Sequence, residues 1–286
     1  MVVGCMANRQ IARALGCSPA TVAHHLARLG RHCMLFQARD LDRVAVTGEV
    51  VIDGFESFEL NQYFPLHHNV AVAVDTGYFL YHTDSELRRK GRMTPHQKQR
   101  RAELERQYGR PNPRAVAIGV RELLETITEK HTSMTVRSDD HRAYPRAMRG
   151  LACQITHRIT SSKARRDQRN PLWEVNLLDL MIRHSTAAHK RETIAWAKRR
   201  QASAEKLSIF QVWRNYVKRR WENGPDVSSA MLEGLARRRL SITDLMRQRL
   251  FPGRIRVPPR WRLYYERRVE TVALGVNRRH TLTYAY

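Results

Sequence analysis

The chain has 286 residues, 42% of them hydrophobic, enough for a substantial core with one or two accessory modules. Lysine and arginine total 51 against 27 aspartate and glutamate, a formal charge of +24, which points to a polyanionic partner because each neutralised phosphate releases counterions. A membrane role is disfavoured: no apolar run approaches the roughly 20 residues of a spanning helix, and MVVGCMANRQ lacks the basic-then-apolar pattern of a signal peptide.

The segment RQIARALGCSPATVAHHLARLGRH predicts two short helices around a tight turn. Ile11, Ala12 and Leu15 give the first an apolar stripe, and Gly16 suits the positive φ that ends it. Ser18 then caps a second helix with Pro19 at its first position, where no amide donor is missed. Val22, Leu26 and Leu29 share one face, leaving Ala20, Thr21, His24, His25 and Arg28 to face outward. This resembles the helix-turn-helix of DNA-binding proteins, whose second helix enters the major groove. Little room remains for a third helix before Gly4. Cys5, Cys17, Cys33 and Cys153 are scattered without a C-x-x-C pair, so neither a zinc ribbon nor a redox pair is supported, and a reducing cytoplasm is the simpler setting.

From Val44 the pattern changes. VAVTGEVVIDGFESF predicts a strand carrying Asp53, and HHNVAVAVDTGYFLYHTD a hairpin around Asp75-Thr76-Gly77. The charged stretch SELRRKGRMTPHQKQRRAELERQYGRPNPR predicts a helix between two loops, whose Arg and Lys either track a phosphate backbone or form a solvated face, with residues 114–130 forming an amphipathic helix after it. SMTVRSDDH is a short strand ending on Asp139 and Asp140; AYPRAMRG is a short helix and ACQITHRIT a further strand. The order predicts an α/β fold, a mixed sheet with helices packed on it and acids at two strand ends, where catalytic groups tend to gather.

PLWEVNLLDLMIRHS has helical spacing. Asp179 stands among leucines, yet Asn176, Asp179, Arg183 and Thr186 recur at steps of three and four, making a narrow polar stripe beside Val175, Leu178 and Ile182. An exposed Asp179–Arg183 pair alone would be worth only some tenths of a kcal/mol. Two strand acids and one helix acid, however, form the set that a two-metal phosphoryl-transfer site requires, since Mg²⁺ prefers hard oxygen ligands.

Together these pieces resemble a DDE-type insertion-sequence transposase with an RNase H-like core, over nearly the whole length. The likeness rests on the opening helix-turn-helix, VVIDGFESFE, HHNVAVAVDTG, SDDHRAYPRAM, VNLLDLMIRHSTAAHKRETIAWAKRRQASAEKL and SSAMLEGL. In that family the second acid precedes a helix with a D-x-x-x-A-Y-x-x-A pattern, which falls on Asp139. The third follows an Asn and precedes an Arg, matched by Asn176, Asp179 and Arg183, with Trp196 at an expected aromatic. The resemblance implies an Asp53, Asp139, Asp179 triad holding Mg²⁺ (or Mn²⁺), two ions in all. It also implies double-stranded DNA as partner, and a homodimer or higher multimer on paired element ends in the cytoplasm, associated with the nucleoid.

The third acid is usually Glu, so Glu174 is a rival to Asp179, as Asp140 is to Asp139; Glu56 and Glu59 are expected to be solvated or substrate-side. His189, Lys190, Arg191 and Lys198 to Arg200 are expected on a long helix reaching Trp221, with Lys190 and Arg191 near the scissile phosphate and Ile194, Ala197, Leu207 and Val217 facing the core. Trp261, Tyr264 and Tyr265 are expected at another subunit, in an Arg-rich tail. The expected organisation is a helix-turn-helix module (1–36), an RNase H-like core (44–222) and a basic C-terminal extension (223–286). Two alternatives stay open: a transposase-derived DNA-binding protein that no longer cuts, and an RNase H-like nuclease that does not join.

Overall fold

The computed structural model describes residues 1–269 and 271, apart from 45 and 192. Helix α1 (Asn8–Leu15) buries Ile11 and Ala12 and stops at Gly16, whose φ is 63°. Helix α2 (Pro19–Leu41) starts as the sequence predicts, the Ser18 hydroxyl accepting from the Thr21 amide at 3.0 Å. It is 23 residues long, so the expected module boundary at 36 falls inside it. Its second half is buried from Cys33 to Ala38 and packs on a later helix so closely that a Cβ on Gly30 would stand 2.5 Å from the Glu205 Cβ. Only glycine fits there, and α2 thereby links the opening turn to the core.

Strands β1 (Val50–Glu59), β2 (Phe64–Ala73), β3 (Phe79–Glu86), β4 (Ser133–Asp139) and β5 (Gln154–Thr160) form one mixed sheet in the order β3-β2-β1-β4-β5. The architecture is therefore α/β, a five-stranded mixed sheet flanked by helices, and it is compatible with an RNase H-like core. β1 pairs antiparallel with β2 along its whole length, but parallel with β4 only at Val50↔Val136 and Val51↔Arg137. Beyond residue 51 the two strands part. The chain runs to one side of β1 and then crosses to the other, so this gap is a topological switch point, where open α/β sheets place their ligands.

Between β3 and β4 come α3 (Pro95–Tyr108) and α4 (Ala115–Thr128); α5 (Ala143–Met148) joins β4 to β5, and α6 (Trp173–Ser185) follows the sheet. α7 (Arg200–Val212) continues into a π turn over Trp213–Val217. Val50 and Ile52 face the core shared with α2 and α4, while Val51 and Phe55 face Val175, Leu178 and Ile182 of α6 and Leu207 and Phe210 of α7.

The long helix expected from the third acid to Trp221 does not form. α6 ends at Ser185, and an irregular stretch runs to α7. The cause is tertiary: His189 is drawn into the interior, bonding Thr186 and Ser203, and this buried network overrides a locally helical sequence. Ala197 and Leu207 are buried as expected and Val217 packs against the core, but Ile194 is 91% exposed.

The chain then forms α8 (Ser229–Leu232), α9 (Ile242–Arg247) and α10 (Pro259–Tyr265). Trp261, Tyr264 and Tyr265, expected to meet another subunit, are instead buried in this chain's own core. The Trp261 Nε1 donates to the His82 carbonyl at 3.0 Å. The last part of the Arg/aromatic tail lies outside the described residues. No helix among the described residues is long and apolar enough to cross a membrane.

Candidate active site

Side-chain period fixes where the acids point. Asp53 lies between Val51 and Phe55, so it faces the α6 side of β1. On β4, Met134, Val136 and Ser138 are buried on the opposite face, which turns Asp139 toward α6 as well. Asp179 falls one turn after Val175 and beside Leu178 on the inward seam of α6. All three line one cleft of about 1010 Å³ at the β1–β4 gap.

Their electrostatics are those of partly buried like charges. Burial raises the Asp53 carboxyl to about 6, assisted by Asp139 and opposed by the Gly54 amide and the Tyr144 hydroxyl, which donates to Oδ1 at 3.3 Å. Burial likewise raises Asp179 to about 7, with Asp53 adding to the shift and Arg183 and Arg166 opposing it. Among the described residues the buried Asp179 Oδ1 has no hydrogen-bond partner. Asp139 Oδ1 accepts from the His141 amide at 2.9 Å. Hard carboxylate donors with an unbonded buried oxygen fit a divalent cation in chemistry. Their spacing is open: among the described residues no three His, Cys, Asp or Glu side chains stand close enough together to hold a metal ion.

Of the polar stripe on α6, Asn176, Asp179 and Arg183 line the cleft, whereas Thr186 is buried and donates to the Ile182 carbonyl at 2.6 Å. No ion pair joins Asp179 to Arg183 among the described residues; the Arg183 guanidinium lies over the Phe55 ring, 5.5 Å from its centroid. Glu174 is committed elsewhere, both its oxygens accepting from Arg220 Nη2 at 2.7 Å, away from the cleft. Asp140 is exposed and does not line it. Glu56 does, at an exposed position, but Glu59 is buried, accepting from the Arg200 amide at 2.9 Å, and so is not solvated; it does not line the cleft.

The rim is basic. Lys190 and Arg191 line it from the irregular stretch after α6, exposed as a phosphate contact must be. His189 and Arg200, expected beside them, are not available: His189 is interior and Arg200 is locked to Asp84 and Glu86. Arg166 and the run Arg88, Arg89 and Lys90 complete the rim. The sequence offers Arg88, Arg89 and Lys90 as part of a stretch able to track a phosphate backbone, but it gives no individual role to them or to Arg166, Tyr144 and His67, although Tyr144 stands in the A-Y pattern. His67 reaches the cleft past Gly54, where a Cβ would lie 2.2 Å from its ring. Thr21, His24 and His25 are exposed on α2 and Arg28 is half-buried; none of them lines the acid cleft.

No family model matches the chain, and no curated protein does. Among solved structures it is similar to a chain of the cryoEM structure of the simian T-cell lymphotropic virus intasome in complex with PP2A regulatory subunit B56 gamma. The TM-score is 0.26 and the identity 11%, over 64% of this chain and 54% of that one. This chain thus spans about half the length of that neighbour, and a likeness this low carries no functional argument.

Proposed function

We propose that this chain is a DDE-type transposase with an RNase H-like core, which binds the ends of an insertion element, cleaves there and joins the freed end to target DNA. The observation that carries this reading is the presence of Asp53, Asp139 and Asp179, from two strands and a helix, on one basic-rimmed cleft. In cleavage, water adds to phosphorus as the P–O3′ bond breaks and the 3′ oxygen takes a proton. In joining, that 3′-hydroxyl adds to a target phosphodiester and displaces a target 3′ oxygen. Asp53, Asp139 and Asp179 would hold Mg²⁺ or Mn²⁺, two ions being expected, which when bound supply Lewis acidity to the attacking and leaving oxygens.

The chain's own groups do the rest. Tyr144 orients Asp53, while Arg183, Lys190 and Arg191 hold phosphates on one wall and Arg88 to Lys90 on the other. Thr21, His24, His25 and Arg28 would face base edges in the major groove, with α1 and α2 as a helix-turn-helix. Paired element ends would call for a homodimer or higher multimer on double-stranded DNA, in a cytoplasmic, nucleoid-associated protein. The open spacing of the acids favours one second reading: a DNA-binding protein of this descent that does not cut.

The test is an assay of cleavage and strand transfer on DNA flanking the coding sequence, with Mg²⁺ or Mn²⁺, for wild type and for Asp53→Ala, Asp139→Ala and Asp179→Ala. The expected result is cleavage and joined products from wild type, and loss of both by at least about 1,000-fold in each variant with binding retained, as removal of a transition-state contact predicts. Binding without cleavage by wild type supports the second reading. Cleavage without joining would make the chain a nuclease.

A further inference from the structure

The segment between β3 and α4 is one of the most strongly cationic stretches of the chain. Residues 87–114 hold ten lysines and arginines against two glutamates. Within it α3 buries no residue at all. A helix of 14 residues is marginal by itself in water, so its persistence needs local devices. They are present. Thr94 and Gln97 form a capping box with Pro95 at the first position, and Gly109 ends the helix at a φ of 84°.

Three ties hold one face down. Arg88 grips Glu105 with two hydrogen bonds of 2.7 and 3.0 Å, Arg101 donates to the Arg89 carbonyl at 3.0 Å, and Tyr108 meets Phe64 edge-on at 6.1 Å. The other face carries Lys98, Ala102 and Arg106 at i, i+4 and i+8, all exposed. Among the described residues neither Lys98 nor Arg106 has an ion-pair partner, and the same is true of exposed Lys90, Arg92 and Arg110. A helix that adds almost nothing to the core yet is capped, anchored and kept cationic on its free side is built to present charge. The base of this segment is already part of the acid cleft, because Arg88, Arg89, Lys90 and Gly91 line it.

We propose that residues 87–114 form a second duplex-DNA contact, an arm along which the DNA leaving the cleft lies, with Arg92, Lys98 and Arg106 neutralising backbone phosphates. This rests on the cleft taking DNA, as proposed above. Charge complementarity and continuity with the cleft rim single out DNA as the occupant. Lys98 and Arg106 stand about 12 Å apart along the helix, a distance over which duplex DNA presents about seven phosphates at one per 1.7 Å. The contact is sequence-independent, since it touches phosphates and not bases.

The experiment uses the full chain and a fluorescein-labelled mixed-sequence duplex, with binding followed by anisotropy from low to moderate KCl and plasmid nicking measured in parallel. In Arg92→Ala/Lys98→Ala/Arg106→Ala the slope of log affinity against log salt should shrink by about 2.7, at about 0.9 per lost phosphate, with affinity down tenfold or more. Alanine at two exposed helical positions and at exposed Arg92 in the loop before α3 does not threaten the fold. The charge-keeping variant Arg92→Lys/Arg106→Lys should retain the wild-type slope. A slope unchanged by the alanine variant, or lowered as much by the lysine variant, overturns the inference. If wild type fails to bind the duplex, the arm and the transposase reading fall together. If binding depends on the arm but no metal supports nicking, the arm stands and the catalytic reading falls.

Discussion

Two carboxylates, Asp84 on β3 and Asp179 on α6, have opposite surroundings. Asp84, on β3, is 3% exposed and fully engaged: Arg200 bonds both its oxygens, Tyr264 donates to Oδ1, and Arg260 stands 3.8 Å away. Burial alone would raise its pKa, but Arg200 and then Arg260 more than reverse that, holding it well below the usual carboxylate range. Asp179 is less buried, yet one of its oxygens has no hydrogen-bond partner among the described residues and its carboxyl is pushed up to about 7. The first cluster ties α7 and α10 to the sheet; the second leaves an acid unsatisfied beside another acid. Satisfied polar clusters hold a fold in place, and an unsatisfied one at a cleft keeps binding capacity open at the expense of stability.

The largest effect should come from breaking the satisfied side. Asp84→Ala leaves the buried Arg200 with the half-exposed Glu86 and Arg260 with Glu122, and should destabilise the protein by about 3–5 kcal/mol, the usual loss when one member of a buried ion pair is removed. Urea denaturation measures it. A loss below about 1 kcal/mol would mean that water reaches the cluster and that the two carboxylates do not differ as described.

The next effect is smaller and concerns the unsatisfied side. Asp53 and Asp179 have raised folded-state pKa values, so each destabilises the fold at high pH, and this penalty is relieved as pH falls through about 7 for Asp179 and about 6 for Asp53. Buried His68 and His82 behave oppositely. Burial lowers them to about 4 and about 3, so each withdraws stability as pH falls below the ordinary histidine value near 6.5. In wild type these trends oppose one another between pH 6.5 and 5. In metal-free Asp53→Asn/Asp179→Asn these two contributions vanish, leaving the histidines opposed chiefly by Glu205, whose carboxyl burial also raises to about 7. The variant should be about 1–2 kcal/mol more stable than wild type at pH 8, allowing for the partial exposure of both acids, and should lose that lead on acidification. Parallel melting curves at pH 8 and pH 5 decide it; a lead that does not shrink would show that the acids are not raised.

The sheet and the acids were legible because they follow short periods. Alternation in VVIDGFESF assigns Asp53 a face, and helical spacing in NLLDLMIRH assigns Asp179 a stripe, so chemistry and neighbourhood can be read locally. What could not be read depends on distant partners. Choosing between Asp179 and Glu174 requires Arg220, 46 residues beyond Glu174, and the break after Ser185 requires Ser203, which holds His189 inside. The tail aromatics look available in sequence because nothing local shows that Trp261 will meet the His82 carbonyl. Asp84 itself read as an ordinary hairpin residue, although it anchors more of the molecule than either catalytic candidate on the strands.

The smallest effect sharpens the comparison at a single hydrogen bond. Among the described residues Asp53 has one side-chain donor, the Tyr144 hydroxyl, at 3.3 Å, long for such a bond, whereas both oxygens of Asp84 are held, by Arg200 and Tyr264. Tyr144 is buried, so phenylalanine would keep its packing while leaving Asp53 Oδ1 without that donor. Because the hydroxyl favours the charged carboxylate, Tyr144→Phe should raise the Asp53 pKa above its already elevated value of about 6, and a weak bond of about 0.5–1 kcal/mol corresponds to roughly half a pH unit. Carboxyl NMR titration of metal-free protein reads the shift directly, and unfolding free energy should change by less than about 1 kcal/mol. An unmoved Asp53 titration would mean that burial, the Gly54 amide and the neighbouring charges set its pKa, and Tyr144 would then be a packing residue with no part in positioning the acid.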